Sequence, residues 1–123
     1  GSEMCIRDSI MPVLMQFQPD IIIVSLGADA HYMDPLGGLS LSSTGYHALC
    51  MHLIECAEKV CSGRIAFSLE GGYHLQALAE VVGSIALGKY FQDFVFNEIY
   101  DEECNGREVL ERVKEVHAPF WTI

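Results

Sequence analysis

The sequence predicts an α/β fold with a mainly parallel sheet. Two short, largely apolar runs, residues 20–26 and 64–69, have the length of strands, and the first suits a strand that is covered on both faces. Each run is followed by a glycine-containing polar loop and then by a segment with helical spacing of apolar residues. This order indicates two adjacent parallel strands joined by a right-handed crossover.

The remaining elements follow in chain order. Residues 10–17 are typical of the end of a helix, which breaks near Pro19. The longest helix is predicted to begin at the hydroxyls of residues 42–44 and to end at Gly63. Three elements are predicted downstream: a helix over 75–86, an extended piece over 95–100 and a terminal helix over 107–116. Because two strands do not complete such a sheet, we expect exposed strand edges and uncovered apolar faces.

Composition excludes several classes of protein. The chain has 123 residues, half of them hydrophobic, which is enough for one domain with a core. A net charge of −10 argues against a nucleic-acid partner, because no basic patch is available to neutralise phosphates. No apolar run approaches the roughly 20 residues of a membrane-spanning helix. The five cysteines contain no C-x-x-C pair, which favours reduced thiols and a cytoplasmic location.

The first nine residues are set apart from the fold. Residues 1–2 resemble a cloning scar, and residues 3–9 resemble the translation of a transposon end used in sequencing libraries. The folded part is therefore expected to be 10–123, and 1–9 a tag or adapter-derived segment.

Two polar loops carry the candidate catalytic and metal-binding residues. The first, residues 27–38, reads GADAHYMDPLGG, and the second, residues 70–73, reads EGGY. Both leave the carboxyl ends of strands predicted to be adjacent, which is where open α/β sheets bind ligands. Asp29, His31 and Asp34 offer oxygen and nitrogen ligands that zinc accepts, although their spacing alone does not choose among them.

Together these loops resemble those of the zinc-dependent histone deacetylase superfamily, closest to its class II and bacterial amidohydrolase branch, which includes acetylpolyamine amidohydrolases and acetoin utilization proteins. The ending HAPFW at residues 117–121 resembles the tail of class II-like relatives. The resemblance implies the C-terminal part of an arginase/deacetylase-type three-layer fold, with residues 10–123 forming the C-terminal portion of the catalytic domain and the N-terminal portion missing.

The resemblance also implies roles for individual residues. It makes Asp34 a ligand of a catalytic Zn²⁺ and Tyr73 the catalytic hydrogen-bond donor to the amide oxygen. The phenol follows two glycines, which allow a substrate to approach the backbone closely. The other implied residues are Leu41, Gly71 and Gly72, which contact substrate, and Asp29, His31 and Glu70, which support the loops.

Parts of the family's machinery are not found in this sequence. Relatives take two further zinc ligands from an upstream Asp-x-His motif and a general base from a His-His pair, and this chain has no His-His pair. We therefore expect the complete parent to bind Zn²⁺ and to deacetylate an acetyl-lysine peptide, a polyamine or a small acetylated amine, and the chain alone to be inactive. A homo-oligomer is possible.

Three alternatives remain open from the sequence. One is a non-catalytic interaction module that pairs through its exposed sheet edge, and another is an arginase-like ureohydrolase, which would need further aspartate ligands. The third is a nucleotide-binding half-domain, which the missing G-x-G-x-x-G spacing disfavours.

Overall fold

The computed structural model describes residues 6–88 and 107–122, and the predicted extended piece at 95–100 lies outside this range. The described elements alternate between helices and strands, as the sequence predicts. They are α1 (Met11–Phe17), β1 (Ile22–Gly27), α2 (Ser43–Cys61), β2 (Ile65–Gly71), α3 (Leu75–Leu87) and α4 (Arg107–His117). A wide helical turn at Ile6–Ile10 precedes α1, and a single 3₁₀ turn at Ala28–Ala30 follows β1.

β1 and β2 pair as a parallel two-stranded sheet, which confirms the predicted adjacency. Ile22 and Leu26 of β1 are buried, whereas Ile23 between them is 71% exposed. On β2, Phe67 packs against the core, whereas Ser68 and Glu70, which alternate with it, are exposed. The described residues therefore cover one face of β1 and leave Ile23 open on the other, which agrees with the uncovered face expected where two strands do not complete the sheet.

The ends of α2 lie where the sequence places them. At the start, the Ser42 hydroxyl accepts a hydrogen bond from the Gly45 N–H at 3.0 Å, which satisfies one of the helix's unpaired donors. At the end, Gly63 adopts the left-handed conformation with φ 75° and donates from its N–H to the Ala57 carbonyl at 2.9 Å.

The chain divides into two compact units, of which the first comprises residues 1–22, 52–65 and 101–123. In it, Gln16 and Thr122 exchange two hydrogen bonds of 2.9 and 3.0 Å. Phe17 and Trp121 meet edge to face with 6.5 Å between their ring centroids. These contacts attach the tail after α4 to α1.

The second unit comprises residues 23–51 and 66–100 and contains the main core. The buried members of this core are Leu26, Ala28, Tyr46, Cys50 and Val81. Phe67, Leu41 and Leu78 pack against it. The core thus joins the carboxyl end of β1, the first half of α2, and α3, and both polar loops leave from its edge.

No helix in the part of the chain that the structure describes is both long enough and apolar enough to cross a membrane.

Val81→Ala tests whether this core holds the unit together. Val81 is fully buried on α3, so the truncation should lower the free energy of unfolding by about 2 kcal/mol. Its neighbour Val82 is 40% exposed, and Val82→Ala should change that free energy by less than about 0.5 kcal/mol. Urea denaturation of both variants measures the difference, and equal effects would contradict the assigned core.

Candidate active site

The two polar loops meet at the carboxylate of Asp34. Its Oδ1 accepts hydrogen bonds from the backbone N–H groups of Leu36 at 2.9 Å and Gly37 at 3.0 Å, in its own loop. Its Oδ2 accepts from the backbone N–H of Tyr73 at 2.7 Å, in the other loop. A single side chain therefore folds the first loop back on itself and fastens it to the second.

Glycines let the loops approach this closely. Gly72 has φ 114°, and a Cβ at this position would lie 2.7 Å from the Cβ of Ala28 and 3.1 Å from its Cα. A side chain there would be strained by the backbone conformation and would also collide with the first loop. Both the turn of the second loop and its contact with the first thus require glycine at this position.

Electrostatics keep the Asp34 carboxyl ionised. The hydrogen bond from the Tyr73 N–H lowers the pKa of Asp34 below its ordinary value of 3.8. Burial acts in the opposite direction, and the hydrogen bonds from Leu36 and Gly37 lower the pKa further. The residue is only 7% exposed. Three of the roughly four lone-pair positions of a carboxylate are therefore occupied by backbone donors. This arrangement gives Asp34 a loop-fastening role, and the expected zinc ligation by Asp34 stays a prediction.

Asp29 is the exposed carboxylate of the first loop. It lies on the turn that follows β1, beside the glycines at the ends of both strands: a Cβ on Gly27 would come within 2.6 Å of its Oδ1, and one on Gly71 within 3.5 Å of its Cγ. A Cβ on Gly37 would overlap its backbone carbonyl oxygen. The backbone of Asp29 is thus enclosed by the loop while its carboxylate stays accessible at the end of the sheet.

Tyr73 and Glu70 occupy different environments on the second loop. Tyr73 is 63% exposed, although its backbone N–H is bound to Asp34. Glu70 accepts a hydrogen bond from the Ser25 hydroxyl at 2.8 Å, which links β2 to β1. The Glu70 contact is consistent with the supporting role expected for it, and the exposed phenol of Tyr73 is accessible to a substrate.

His31 is fully buried and connects the first loop to α2 and α3. Its Nδ1 accepts from the Met33 N–H at 3.2 Å, so the neutral ring carries its proton on Nε2 and donates to the Ser43 hydroxyl at 2.9 Å. Ser43 in turn donates to Glu80 at 2.6 Å. This line of hydrogen bonds joins the loop to α2 and α3, so His31 supports the loop from within the core.

Leu41 closes the first loop. It forms an isolated parallel bridge with His31: its N–H donates to the Ala30 carbonyl at 2.9 Å, and its carbonyl accepts from the Tyr32 N–H at 3.0 Å. Its half-buried side chain packs on the core, and a Cβ on Gly45 would lie 2.8 Å from its Cδ1. The expected contact between Leu41 and substrate stays a prediction.

Sequence reasoning missed two kinds of contributor. The helical spacing of apolar residues in α2 assigns no hydrogen bond to Tyr46, yet its hydroxyl donates to the Gly27 carbonyl at 2.8 Å and accepts from the Ala30 N–H at 3.1 Å. Ser43 and Glu80 were not connected with His31. A tyrosine on an apolar helix face is itself a signal, because a buried phenol normally finds a hydrogen-bond partner.

Within the ranges 6–88 and 107–122, no group of three or more His, Cys, Asp or Glu side chains could hold a metal ion. The first loop offers the exposed Asp29 carboxylate, a ligand type that zinc accepts. One carboxylate fits part of a catalytic zinc site, which normally takes three protein ligands.

Gly37→Ala tests whether the first loop must close over Asp29. The added methyl overlaps the Asp29 carbonyl oxygen, so the loop must move and the free energy of unfolding should fall by at least about 2 kcal/mol. Gly38 is the matched control: it has φ 62° and nothing within 4 Å, so Gly38→Ala should cost only about 1 kcal/mol. Thermal or urea unfolding gives both values, and a cost for Gly37→Ala no larger than for Gly38→Ala would contradict the close approach.

Asp34→Asn tests the anionic fastening by its pH dependence. The pKa of Asp34 is lower in the folded chain than its ordinary value of 3.8, so the unfolded chain takes up the proton first as the pH falls. The stabilisation is complete above the unfolded pKa and is lost as the pH falls through the folded pKa. Wild type should therefore exceed Asp34→Asn in urea midpoint at about pH 6, and the gap should shrink toward about pH 3. Asp20→Asn, which changes an exposed carboxylate, should show no comparable gap, and a pH-independent gap for Asp34→Asn would contradict the interpretation.

The chain is similar in sequence to deacetylases of other organisms. The chain is 36% identical over 119 residues to "Histone deacetylase 14, chloroplastic" of Arabidopsis thaliana, and this match covers 91% of the chain and 28% of that protein. It is 30% identical over 135 residues to a "Probable deacetylase" of Archaeoglobus fulgidus, covering 98% of the chain and 38% of that protein. The chain therefore spans about a third of the length of these curated relatives.

Solved structures show the same fold. The crystal structure of the HDA15 HD domain matches with a TM-score of 0.72 at 25% identity, over 95% of this chain and 31% of that one. The histone deacetylase Clr3 matches with a TM-score of 0.75 at 24% identity, over 95% of this chain and 19% of that one, and supports the fold alone. These matches place the α/β arrangement described above within the deacetylase fold.

A family model described as "Histone deacetylase domain" matches residues 2–88. That range includes residues 2–9, whose assignment to a tag or adapter stays a prediction. It also contains both polar loops and every residue that joins them. The match covers well over half of the chain, and the chain accordingly belongs to the histone deacetylase family.

Proposed function

We propose that this chain is the C-terminal portion of the catalytic domain of a zinc-dependent deacetylase, with residues 10–123 as that portion. The parent would hydrolyse the amide of an acetylated lysine, polyamine or small amine. The supporting observation is the junction of the two loops, in which Asp34 binds the Tyr73 backbone while the Asp29 carboxylate lies beside Gly71. The accessible carboxylate of Asp29 and the accessible phenol of Tyr73 thereby lie on loops at one edge of the core.

For the metal, we propose Asp29 as the ligand and transfer that role from Asp34. The exposure of Asp29 supports this choice, as do the three backbone hydrogen bonds that occupy Asp34. The other two ligands would come from parts of the parent outside this chain. When bound, zinc would supply a Lewis acid that polarises the acetyl carbonyl and lowers the pKa of a water molecule.

Tyr73 would supply the second half of the chemistry. Its hydroxyl would donate a hydrogen bond to the amide oxygen as negative charge develops there during hydrolysis. Asp34 would contribute by holding the backbone of Tyr73 against the first loop. The remaining parts of the reaction, including acceptance of the water proton, need a general base, which would come from parts of the parent outside this chain. We therefore propose that the chain alone is inactive.

Charge and cysteine chemistry support two further parts of the proposal. A net charge of −10 favours cationic amines such as polyamines and lysine side chains at long range. Cys50, Cys56 and Cys61 are buried and unbridged, which suits a reducing compartment such as the cytoplasm.

The test uses the complete parent domain, with upstream sequence restored, on an acetyl-lysine peptide and an acetylpolyamine. Tyr73→Phe should lower kcat by about a hundredfold to a thousandfold and leave the zinc content unchanged, because only an oxyanion donor is lost. Asp29→Asn should lower the zinc content. Asp34→Asn should lower the free energy of unfolding, and the molecules that remain folded should keep their zinc.

Each contrary result selects another interpretation. Loss of zinc in folded Asp34→Asn with full zinc in Asp29→Asn would return the ligand role to Asp34. A parent that lacks hydrolysis but associates through its sheet edge would be an interaction module, and urea release from a guanidino substrate would indicate a ureohydrolase. Deacetylation by the 123-residue chain alone, abolished by a chelator, would overturn its proposed inactivity.

A further inference from the structure

Tyr46 bridges the two ends of the turn that carries Asp29. The residue lies in the first turn of α2 and is only 5% exposed, with its ring in the main core. Its hydroxyl donates to the carbonyl of Gly27, the last residue of β1, at 2.8 Å. The same oxygen accepts from the N–H of Ala30 at 3.1 Å. Ala28 and Asp29 are the two residues between these anchor points.

The hydroxyl satisfies one backbone acceptor and one backbone donor at once. Such groups cost free energy when they are partly buried without a partner, so removing the hydroxyl would favour a different path for the backbone between Gly27 and Ala30. Because Asp29 is the third residue of this four-residue stretch, a change in path would reorient its carboxylate. The Tyr46 ring also lies nearly parallel to the His31 ring, with 6.3 Å between centroids and an interplanar angle of 15°. Tyr46 therefore also lies beside His31, the residue that follows the turn.

The chemistry of Tyr46 suits holding the turn rather than reacting. Burial, with smaller contributions from the negative charges of Asp29 and Asp34, raises the pKa of Tyr46 to about 12, against the hydrogen bond from Ala30. The phenol therefore stays protonated at neutral pH and keeps donating to Gly27.

We propose that Tyr46 is a positioning residue for Asp29: its hydroxyl fixes the turn at Ala28–Ala30 and thereby sets the direction in which the Asp29 carboxylate leaves the sheet. This assignment rests on the proposed function only for its consequence, which is correct metal ligation by Asp29. The local geometry, a phenol holding both sides of a carboxylate-bearing turn, is independent of the metal.

The experiment uses the 123-residue chain, labelled with ¹³C and ¹⁵N for NMR. Tyr46→Phe keeps the ring in the core and removes the hydroxyl, so amide exchange at Ala30 should accelerate roughly tenfold, the size of effect expected for one hydrogen bond. The scalar couplings that report χ1 of Asp29 should shift from values typical of a single rotamer toward values averaged over several rotamers. Tyr32→Phe, which removes a hydroxyl from the same loop, should change neither quantity.

A purely structural role predicts a different outcome. It would lower the unfolding midpoint and accelerate exchange across the core, while the Asp29 couplings stay as in wild type, and that result would overturn the proposal. If Tyr46→Phe does not fold, wild type decides the question. A slowly exchanging Tyr46 hydroxyl proton with a nuclear Overhauser effect to the Ala30 amide supports the proposal, and a rapidly exchanging hydroxyl overturns it.

The parent domain separates this proposal from the proposed function. There, Tyr46→Phe should raise the zinc dissociation constant, measured against a chromophoric chelator, roughly tenfold, since a misdirected ligand binds less well. If Asp29→Asn leaves zinc binding intact while Tyr46→Phe still loosens Asp29 in the NMR experiment, the ligand assignment fails and the positioning role stands. If Asp29→Asn abolishes zinc binding and Tyr46→Phe changes neither the couplings nor the affinity, the positioning role fails and the ligand assignment stands.

Discussion

The arrangement of the site depends on one buried anion, the carboxylate of Asp34. Hydrogen bonds from backbone N–H groups stabilise its negative charge. Two of its hydrogen bonds come from the turn just after it and one from Tyr73, the last residue of the second polar loop. Removing a carboxylate from water is costly unless donors replace the lost solvation, and here three N–H groups do so. Because these donors belong to two separate loops, the electrostatic requirement of one side chain determines how the loops lie together.

Steric requirements complement this electrostatic one. Gly37 lies against the Asp29 carbonyl and Gly72 against Ala28, so the backbones pack with no side chain between them. Tyr46 and His31 then support the first loop from the core side, through hydrogen bonds to Gly27 and Ser43 respectively. The carboxylate of Asp29 is left accessible by a loop that is otherwise fixed at several points. Rigid support around an exposed group is the arrangement expected where a ligand must be met in one geometry.

Most of the fold could be predicted from the sequence. Local pattern predicts β1 from its apolar run and the start of α2 from the hydroxyls before it. The two polar loops meet because the carboxyl ends of parallel strands lie at one edge of the sheet. The apolar run of β1 suits a strand covered on both faces, and in this chain one face is open, as expected for two strands that do not complete a sheet. The roles of Asp29 and Asp34 could not be separated, because the difference lies in which carboxylate faces backbone donors. Tyr46 was missed because helical spacing reports only that a side chain faces the core.

The uncovered face of the sheet has a practical consequence for handling the chain. Ile23 presents apolar surface to solvent on this face, and ten net negative charges repel one copy from another at neutral pH. Added salt shortens the range of that repulsion, from about 10 Å at roughly 0.1 M to about 3 Å at roughly 1 M, and leaves the apolar attraction in place. Colloidal stability is therefore greatest at low ionic strength, and concentrated sulfate would bring the strands of neighbouring copies together.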